Sequence, residues 1–161
     1  MENAEAARAG DIVVLTVPAD HQISTLELVK DSLAGKILID VTVPLVPPKV
    51  GTVQMPPEGS AGKRAQDFLG EEVRVVSAFQ NIAAHLLQQD VTIECDVLVT
   101  GNDKESRQRV IDMIGEAGMT GWHAGPIANA AAAESLTSIL IQINRSGGIS
   151  HSGIKIIGQE H

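Results

Sequence analysis

The sequence is poor in aromatic residues, cysteine and positive charge, and each shortage excludes a class of function. Aromatic side chains form 2% of the 161 residues and tyrosine is absent, which leaves too few for the stacking platforms of single-stranded nucleic-acid binders. The single cysteine excludes an internal disulfide and a multi-cysteine metal site. Twelve basic and twenty acidic residues give a net charge of −8, which repels phosphate backbones. We therefore expect no nucleic-acid partner.

Long hydrophobic runs and targeting signals are also missing. No run reaches the roughly 18 residues of a membrane-spanning helix, and the N-terminus lacks the basic and apolar regions of a signal peptide. Hydrophobic residues nevertheless form 43% of the chain and charged residues 20%, a balance typical of proteins with a folded core. The sequence therefore predicts a single domain over residues 1–161, with no membrane partner and a cytoplasmic location.

Strands and helices are predicted to alternate along the chain. Residues 11–17 and 36–43 are runs rich in β-branched residues, each closed by a proline, as in strands buried on both faces of a parallel sheet. Apolar residues at helical spacing lie between them and predict a helix that ends at Gly35. Further strands are expected at 73–79 and 96–100. This alternation predicts an α/β fold with helices on both faces of the sheet.

The remaining segments contain helix signals and one long loop. Ser60 and Asp103 are suited to cap the N-termini of two helices, and another helix is expected from about residue 128 to residue 144. The tail at 153–158 alternates weakly, which indicates a short strand or hairpin arm. Residues 45–63 are rich in proline and are predicted to form a long surface loop.

The residues that follow the predicted strands are small, apolar or amide-bearing. They lie at 16–21, 40–44 and 77–81. Ligands of open α/β sheets bind outside the carboxyl ends of the strands. Because few ionisable groups occur there, this edge is better suited to hold a flat ring than to perform acid–base chemistry.

Isolated reactive residues are better explained by structural roles. Cys95 lies between two acidic residues that raise the pKa of a thiol, so a nucleophilic role is disfavoured. Asp40 resembles a ribose-binding acid, but without a glycine-rich turn upstream of it we favour a structural role. His21 and His85 lie near the proposed edge, yet no histidine has the spacing of a zinc-binding helix. We expect no metal site and no catalytic side chain.

Several segments together resemble one protein family. They are LTVPADH, KILIDVTVPLVPPKV, PPEGSAGKRAQDFLG, VRVVSAFQNIAAHLL, CDVLVTGNDKES and HAGPIANA. In register and over essentially the whole chain, they resemble the NADPH-dependent reductases of the deazaflavin coenzyme F420. The resemblance implies a Rossmann-type, doubly wound, mainly parallel sheet that lacks the first Gly-rich βαβ portion. It also implies an oxidoreductase that transfers hydride between NADP(H) and coenzyme F420, in which the cofactors carry the chemistry.

The resemblance also implies five cofactor-binding residues. Pro18 and Ala19 would pass the central region of the dinucleotide along their backbone. Val43 and Ala84 would line the junction where the nicotinamide and the deazaflavin stack, and Ser152 lies in a segment that would close over the deazaflavin. The implied partners are these small-molecule cofactors and further copies of the chain, in a homo-oligomer.

The chain departs from the family pattern near its start. No G-x-G-x-x-G turn occurs in the printed sequence, so we expect weak NADPH binding and an open, apolar strand edge at residues 12–17. Two alternatives remain open. Instead of an F420 oxidoreductase, the chain would be a catalytically impaired half-domain that associates with a partner chain, or a nicotinamide-dependent reductase of another acceptor, such as a metal chelate or an imine.

Overall fold

The structure is a computed structural model and describes residues 2–158. A mixed β-sheet lies at the centre of this part of the chain. Within these residues, five strands and five α-helices follow one another along the chain. In order they are α1 (Asn3–Ala9), β1 (Ile12–Leu15), α2 (Gln22–Val29), β2 (Ile37–Asp40), α3 (Ala61–Leu69), β3 (Arg74–Ser77), β4 (Asp96–Gly101), α4 (Lys104–Glu116), β5 (Thr120–His123) and α5 (Ala130–Ser146).

The strands lie in the sheet in the same order as in the chain. β1, β2 and β3 are mutually parallel, β4 runs antiparallel to β3, and β5 is parallel to β4. In this register Asp40 lies beside both Leu15 and Ser77. The carboxyl ends of the first three strands therefore meet at one edge of the sheet, which confirms the prediction of a mainly parallel α/β sheet.

Apolar clusters cover both faces of the sheet. Leu38 of β2 packs into a cluster with residues of α1, α2, α3 and α5. Its neighbours Ile37 and Ile39 point to the opposite face and pack into a second cluster with residues of α4. Since successive side chains of a strand face opposite sides, continuous apolar runs are needed to fill both clusters. The prediction that helices cover both faces of the sheet is confirmed.

Two helices begin at the predicted caps. The side chain of Ser60 accepts a hydrogen bond from Lys63 N at 2.9 Å, and that of Asp103 accepts one from Ser106 N at 2.8 Å. These bonds satisfy amide groups in the first turn, which have no partner within the helix. The Gly59–Arg64 segment is therefore a capped helix start.

The structure differs from the predicted elements in three places. Residues 153–158 form no strand within the described part of the tail, although Asp96 N at the start of β4 donates to Ile154 O. β5 was not predicted, because TGWH contains a glycine and lacks a run of β-branched residues. The first strands are shorter than predicted, since the chain leaves the sheet before Pro18 and Pro44.

β1 lies at the edge of the sheet. Among the described strands it pairs with β2 alone, and Val14 is 46% exposed. The prediction of an open, apolar edge at this strand is confirmed. None of the helices within residues 2–158 combines the length and the apolar character needed to cross a bilayer.

Candidate functional site

The candidate site lies at the edge where β1, β2 and β3 end. Backbone hydrogen bonds between neighbouring strands continue just beyond the strand ends: Val41 N donates to Leu15 O and Ala78 N donates to Asp40 O, both at 3.3 Å. Gln80 is buried and its side-chain amide donates to Asp40 O at 3.0 Å. The three strand ends therefore form one continuous and internally bonded surface.

The structure places three of the predicted cofactor-binding residues along this edge. Pro18 is exposed, and Ala19 and Val43 are partly buried. Pro18 and Ala19 lead into a short 3-10 helix that continues as α2. Arg64 of α3 donates to Ala19 O at 2.9 Å, which fixes the turn. Pro18 and Ala19 follow β1 and Val43 follows β2, on two adjacent strands.

The other two predicted residues lie at a neighbouring cavity of about 300 Å³. Ser152 lines it directly, whereas Ala84 is exposed next to two residues that do, Ala83 and His85. The cavity is bounded by residues after β3, one side of α5 and the C-terminal tail, and its remaining lining residues are Gln80, Asn81, Ile82, Thr137, Leu140, Ile141, Asn144 and His151.

The segment after β3 is fixed to α5 by a buried amide. The side-chain nitrogen of Asn81 donates to Ala133 O at 2.9 Å and to Thr137 Oγ1 at 3.1 Å. The Thr137 hydroxyl in turn donates to Gln80 O at 2.9 Å. Phe79 turns the chain away from β3 with a φ of 71°, a conformation uncommon for a residue with a bulky side chain. These bonds hold one wall of the cavity in place.

The C-terminal tail (residues 147–158) forms the opposite wall. Ser152 N donates to Asn144 Oδ1 at 3.0 Å, and the Ser152 hydroxyl donates to Leu140 O at 3.2 Å. Both partners lie on α5, so the tail folds back along that helix. The resemblance implied that this segment closes over a ligand, and the structure places it beside the cavity.

Beyond Ser152 the tail is bonded to the start of β4. Asp96 N donates to Ile154 O at 2.9 Å, and Ile154 N donates to the Cys95 sulfur at 3.4 Å. A side chain at Gly153 would collide with that sulfur. Burial raises the pKa of the Cys95 thiol, which agrees with the expectation that this residue is no nucleophile.

A buried polar network lies beneath the strand ends. Asp40 is fully buried, and its carboxyl group accepts hydrogen bonds from Thr42 N at 2.9 Å, from the Thr42 hydroxyl and from the Gln22 side-chain amide. Burial raises the pKa of this carboxyl group, while the bonds from Thr42 and Gln22 oppose the rise. Because its oxygens are occupied inside the protein, Asp40 has the structural role favoured from the sequence.

Glu134 of α5 belongs to the same region and was missed by the sequence analysis. It is 1% exposed, and its two oxygens accept hydrogen bonds from Ala61 N at 2.7 Å and Gly62 N at 2.9 Å. Burial raises its pKa to about 7. The one sequence signal for this role is its position directly after an alanine-rich run. A charged residue that interrupts a buried helix face needs a hydrogen-bond partner inside the protein.

The lining of the cavity limits its chemistry. Amide, hydroxyl, imidazole and apolar groups line it, and none of its lining residues carries a carboxylate or a thiol. Its volume is at the lower end of the range of about 300 to 1,000 Å³ for ligand pockets. The arrangement can hold a flat ring with polar edges, and it does not contain a nucleophile paired with a base.

Comparison with known proteins adds several related sequences. A family model described as "NADP oxidoreductase coenzyme F420-dependent" matches residues 1–44. The F420-dependent NADP reductase of Methanocaldococcus jannaschii is 35% identical over 165 aligned positions, and the alignment covers 99% of this chain and 74% of that protein. The reductase of the same description from Methanothermobacter marburgensis is also 35% identical, over 96% of this chain and 71% of its own.

A solved structure agrees with these sequences. A protein of Arthrobacter sp. FB24, provisionally described as an F420-dependent NADP reductase, superposes with a TM-score of 0.83 and 26% identity. The superposition covers 98% of this chain and 74% of that one. The level of identity to the curated relatives and the length over which it extends are sufficient to assign the family. The chain belongs to the F420-dependent NADP reductases.

Proposed function

We propose that the protein is an NADPH:F420 oxidoreductase, which transfers hydride between NADP(H) and the deazaflavin coenzyme F420. The observation that carries this proposal is the cavity beside the strand ends, which is lined without carboxylates or thiols. Direct hydride transfer between two stacked rings needs distance and orientation and no side-chain nucleophile. The two alternatives drawn from the sequence, a half-domain and a reductase of another acceptor, gain no support from the site.

The two cofactors supply the hydride chemistry when bound, and the protein supplies their alignment. Val43 and Ala84 have small or compact apolar side chains, which permit close approach of two rings. Asn144 and Ser152 line the cavity and would contact the edge of a ring through an amide and a hydroxyl group. Fixed alignment of this kind can contribute about 7 to 11 kcal/mol to lowering a reaction barrier.

Pro18 and Ala19 are proposed to contact the central region of the dinucleotide through their backbone. The bond from Arg64 to Ala19 O supports this role, because it fixes the conformation of the turn. The residue types fit a backbone contact, since neither side chain can donate or accept a hydrogen bond.

The proposal is tested by a spectrophotometric assay of deazaflavin reduction by NADPH. The assay uses the 161-residue chain and, in parallel, the longest polypeptide that its reading frame encodes. Reduction that saturates with both cofactors is expected for the longest polypeptide. No reduction by either protein, although both are folded by circular dichroism, would overturn the proposal.

A separate fluorescence titration measures NADPH binding. Weak binding is expected for the 161-residue chain, because its sequence has no glycine-rich phosphate turn. Tight, saturable binding would contradict this expectation. It would indicate that residues at the ends of β1, β2 and β3 contact the phosphate groups.

We propose in addition that residues 1–161 form one domain and that the protein acts in the cytoplasm as a homo-oligomer. Both apolar clusters pack on one sheet, which supports one domain, and the lone free cysteine is typical of a reducing compartment. Ile139 and Ile143, one helical turn apart on α5, are 45% and 39% exposed and provide an apolar contact surface. Sedimentation velocity tests the association.

A further inference from the structure

Two histidines from distant parts of the chain meet at the rim of the cavity. Their Nε2 atoms lie 3.1 Å apart, although His85 follows β3 and His151 lies in the tail. The ring centres are 3.9 Å apart, so the two nitrogens are closer together than the rings that carry them. The ring planes are inclined to each other by 60°, and both residues are exposed to solvent.

This separation matches the spacing of two ligands on one metal ion. Zinc binds imidazole nitrogen at about 2.0 to 2.1 Å, and two such bonds to nitrogens 3.1 Å apart enclose an angle of about 100°. That angle is between the values of square-planar and tetrahedral coordination. Neutral imidazole is the commonest protein ligand of divalent transition metals.

The backbone on both sides holds the pair in position. His151 has a φ of 59°, and the following residue, Ser152, is bonded to Asn144 and Leu140 of α5. His85 is placed by the short helical turn that it precedes, where Gln88 N donates to His85 O at 3.3 Å. The two backbone segments that carry the rings are thus fixed before any ion binds, which lowers the entropic cost of binding.

We propose that His85 and His151 form a two-ligand site for a divalent transition-metal ion such as Zn²⁺. Within residues 2–158, no group of three histidine, cysteine or carboxylate side chains is placed to enclose a metal. The remaining coordination positions are therefore open to water or to an anionic group of a ligand in the cavity. Binding of the ion also joins the tail to the segment after β3.

The test is a titration of the untagged 161-residue protein with Zn²⁺ alone, followed by calorimetry and by ¹⁵N NMR of labelled histidine. We expect one saturable site and shifts of the ring nitrogens of His85 and His151. The variants are His85→Gln and His151→Asn; asparagine tolerates the positive φ of residue 151. Each should weaken binding by more than about tenfold, since even loss of a supporting residue costs about 10- to 100-fold.

His123→Gln is the matched control. This histidine is exposed on β5 and contacts Gln108 and Arg107 of α4, none of which lines the cavity, so the affinity for Zn²⁺ should be unchanged. The absence of saturable binding, or equal affinity in all three variants, would overturn the proposal and leave a hydrogen bond between two neutral rings. Neither cofactor is present in this experiment, so its outcome is independent of the proposed reductase activity.

Discussion

Ala84 offers the sharpest single-residue test of the proposed ring site. It is exposed beside the cavity, so replacement by tryptophan adds bulk where a ring would stack without disturbing the core. We expect Ala84→Trp to reduce deazaflavin turnover by at least tenfold, with the thermal unfolding temperature nearly unchanged. Ala117→Trp, at an exposed alanine just after α4, is the control and should keep full turnover. Normal turnover in Ala84→Trp would refute the placement.

Glu134 makes stability depend on pH. Burial is the main cause that raises its pKa from 4.5 to about 7, and the nearby Asp40 adds to the rise. The folded state thus favours the protonated form more than the unfolded state does. The free energy of unfolding should therefore fall as the pH rises from about 4.5 through about 7. At about 1.36 kcal/mol per pKa unit, the loss from this residue is of the order of 3 kcal/mol.

The variant Glu134→Gln removes this titration. Urea unfolding between pH 5 and pH 8 should give a flatter profile for Glu134→Gln than for the unchanged protein. Glu116→Gln, at an exposed carboxylate at the end of α4, should leave the profile as it is. Parallel profiles for all three proteins would show that Glu134 does not titrate in this range.

At the scale of elements, the start of α3 depends on side chains from two other parts of the chain. Ser60 caps Lys63 N, and Glu134 accepts from Ala61 N and Gly62 N. The first turn of α3 is thus satisfied by a local and a distant partner, and the distant one joins α3 to α5.

Replacing Ser60 measures how much the local cap contributes to the free energy of unfolding. Ser60→Ala should lower the free energy of unfolding by about 1 kcal/mol, the typical cost of losing a serine N-cap. Chemical denaturation with Ser150→Ala, at an exposed serine in the tail, provides the comparison. A loss no larger than that of Ser150→Ala would mean that the bonds to Glu134 suffice to hold this helix end.

Local chemistry explains which elements could be predicted. β2 was predictable because both its faces are buried, which requires an unbroken apolar run, and both caps were predictable because their partners lie three residues away. The bond of Glu134 could not be predicted, because its partners lie 73 and 72 residues away. The tail was wrongly predicted as a strand, since the hydrogen bonds that hold it involve the Asp96 backbone and the Cys95 sulfur.

The candidate site was predictable to a similar extent. The strand-end edge follows from the rule that parallel strands bind ligands at their carboxyl ends. The resemblance supplied Ala84 and Ser152, whose segments the structure brings together. The meeting of His85 and His151 required the fold, because no periodicity relates residues 66 positions apart.

At the scale of the whole molecule, the open edge of β1 favours self-association. Within residues 2–158, no strand lies on the side of β1 away from β2, so the backbone groups on that side can pair with another strand, and Val14 is exposed beside them. Light scattering should show association that increases with protein concentration and decreases in Val14→Lys, because a lysine on an edge strand disfavours pairing. Val53→Lys, at a similarly exposed valine in the proline-rich loop, should associate as the unchanged protein does. Equal association of all three proteins would exclude the β1 edge.

The tail and the far end of the sheet share one carboxylate oxygen. Asp96 Oδ2 accepts from the Trp122 indole nitrogen and from Ile156 N, both at 2.8 Å. Trp122 is the only tryptophan in the sequence and is 43% exposed. The protein thus carries a built-in optical reporter: the fluorescence of Trp122 reads out, without any label, whether the segment around Ile156 is docked on β4, and ligand or metal titrations can be followed through its emission.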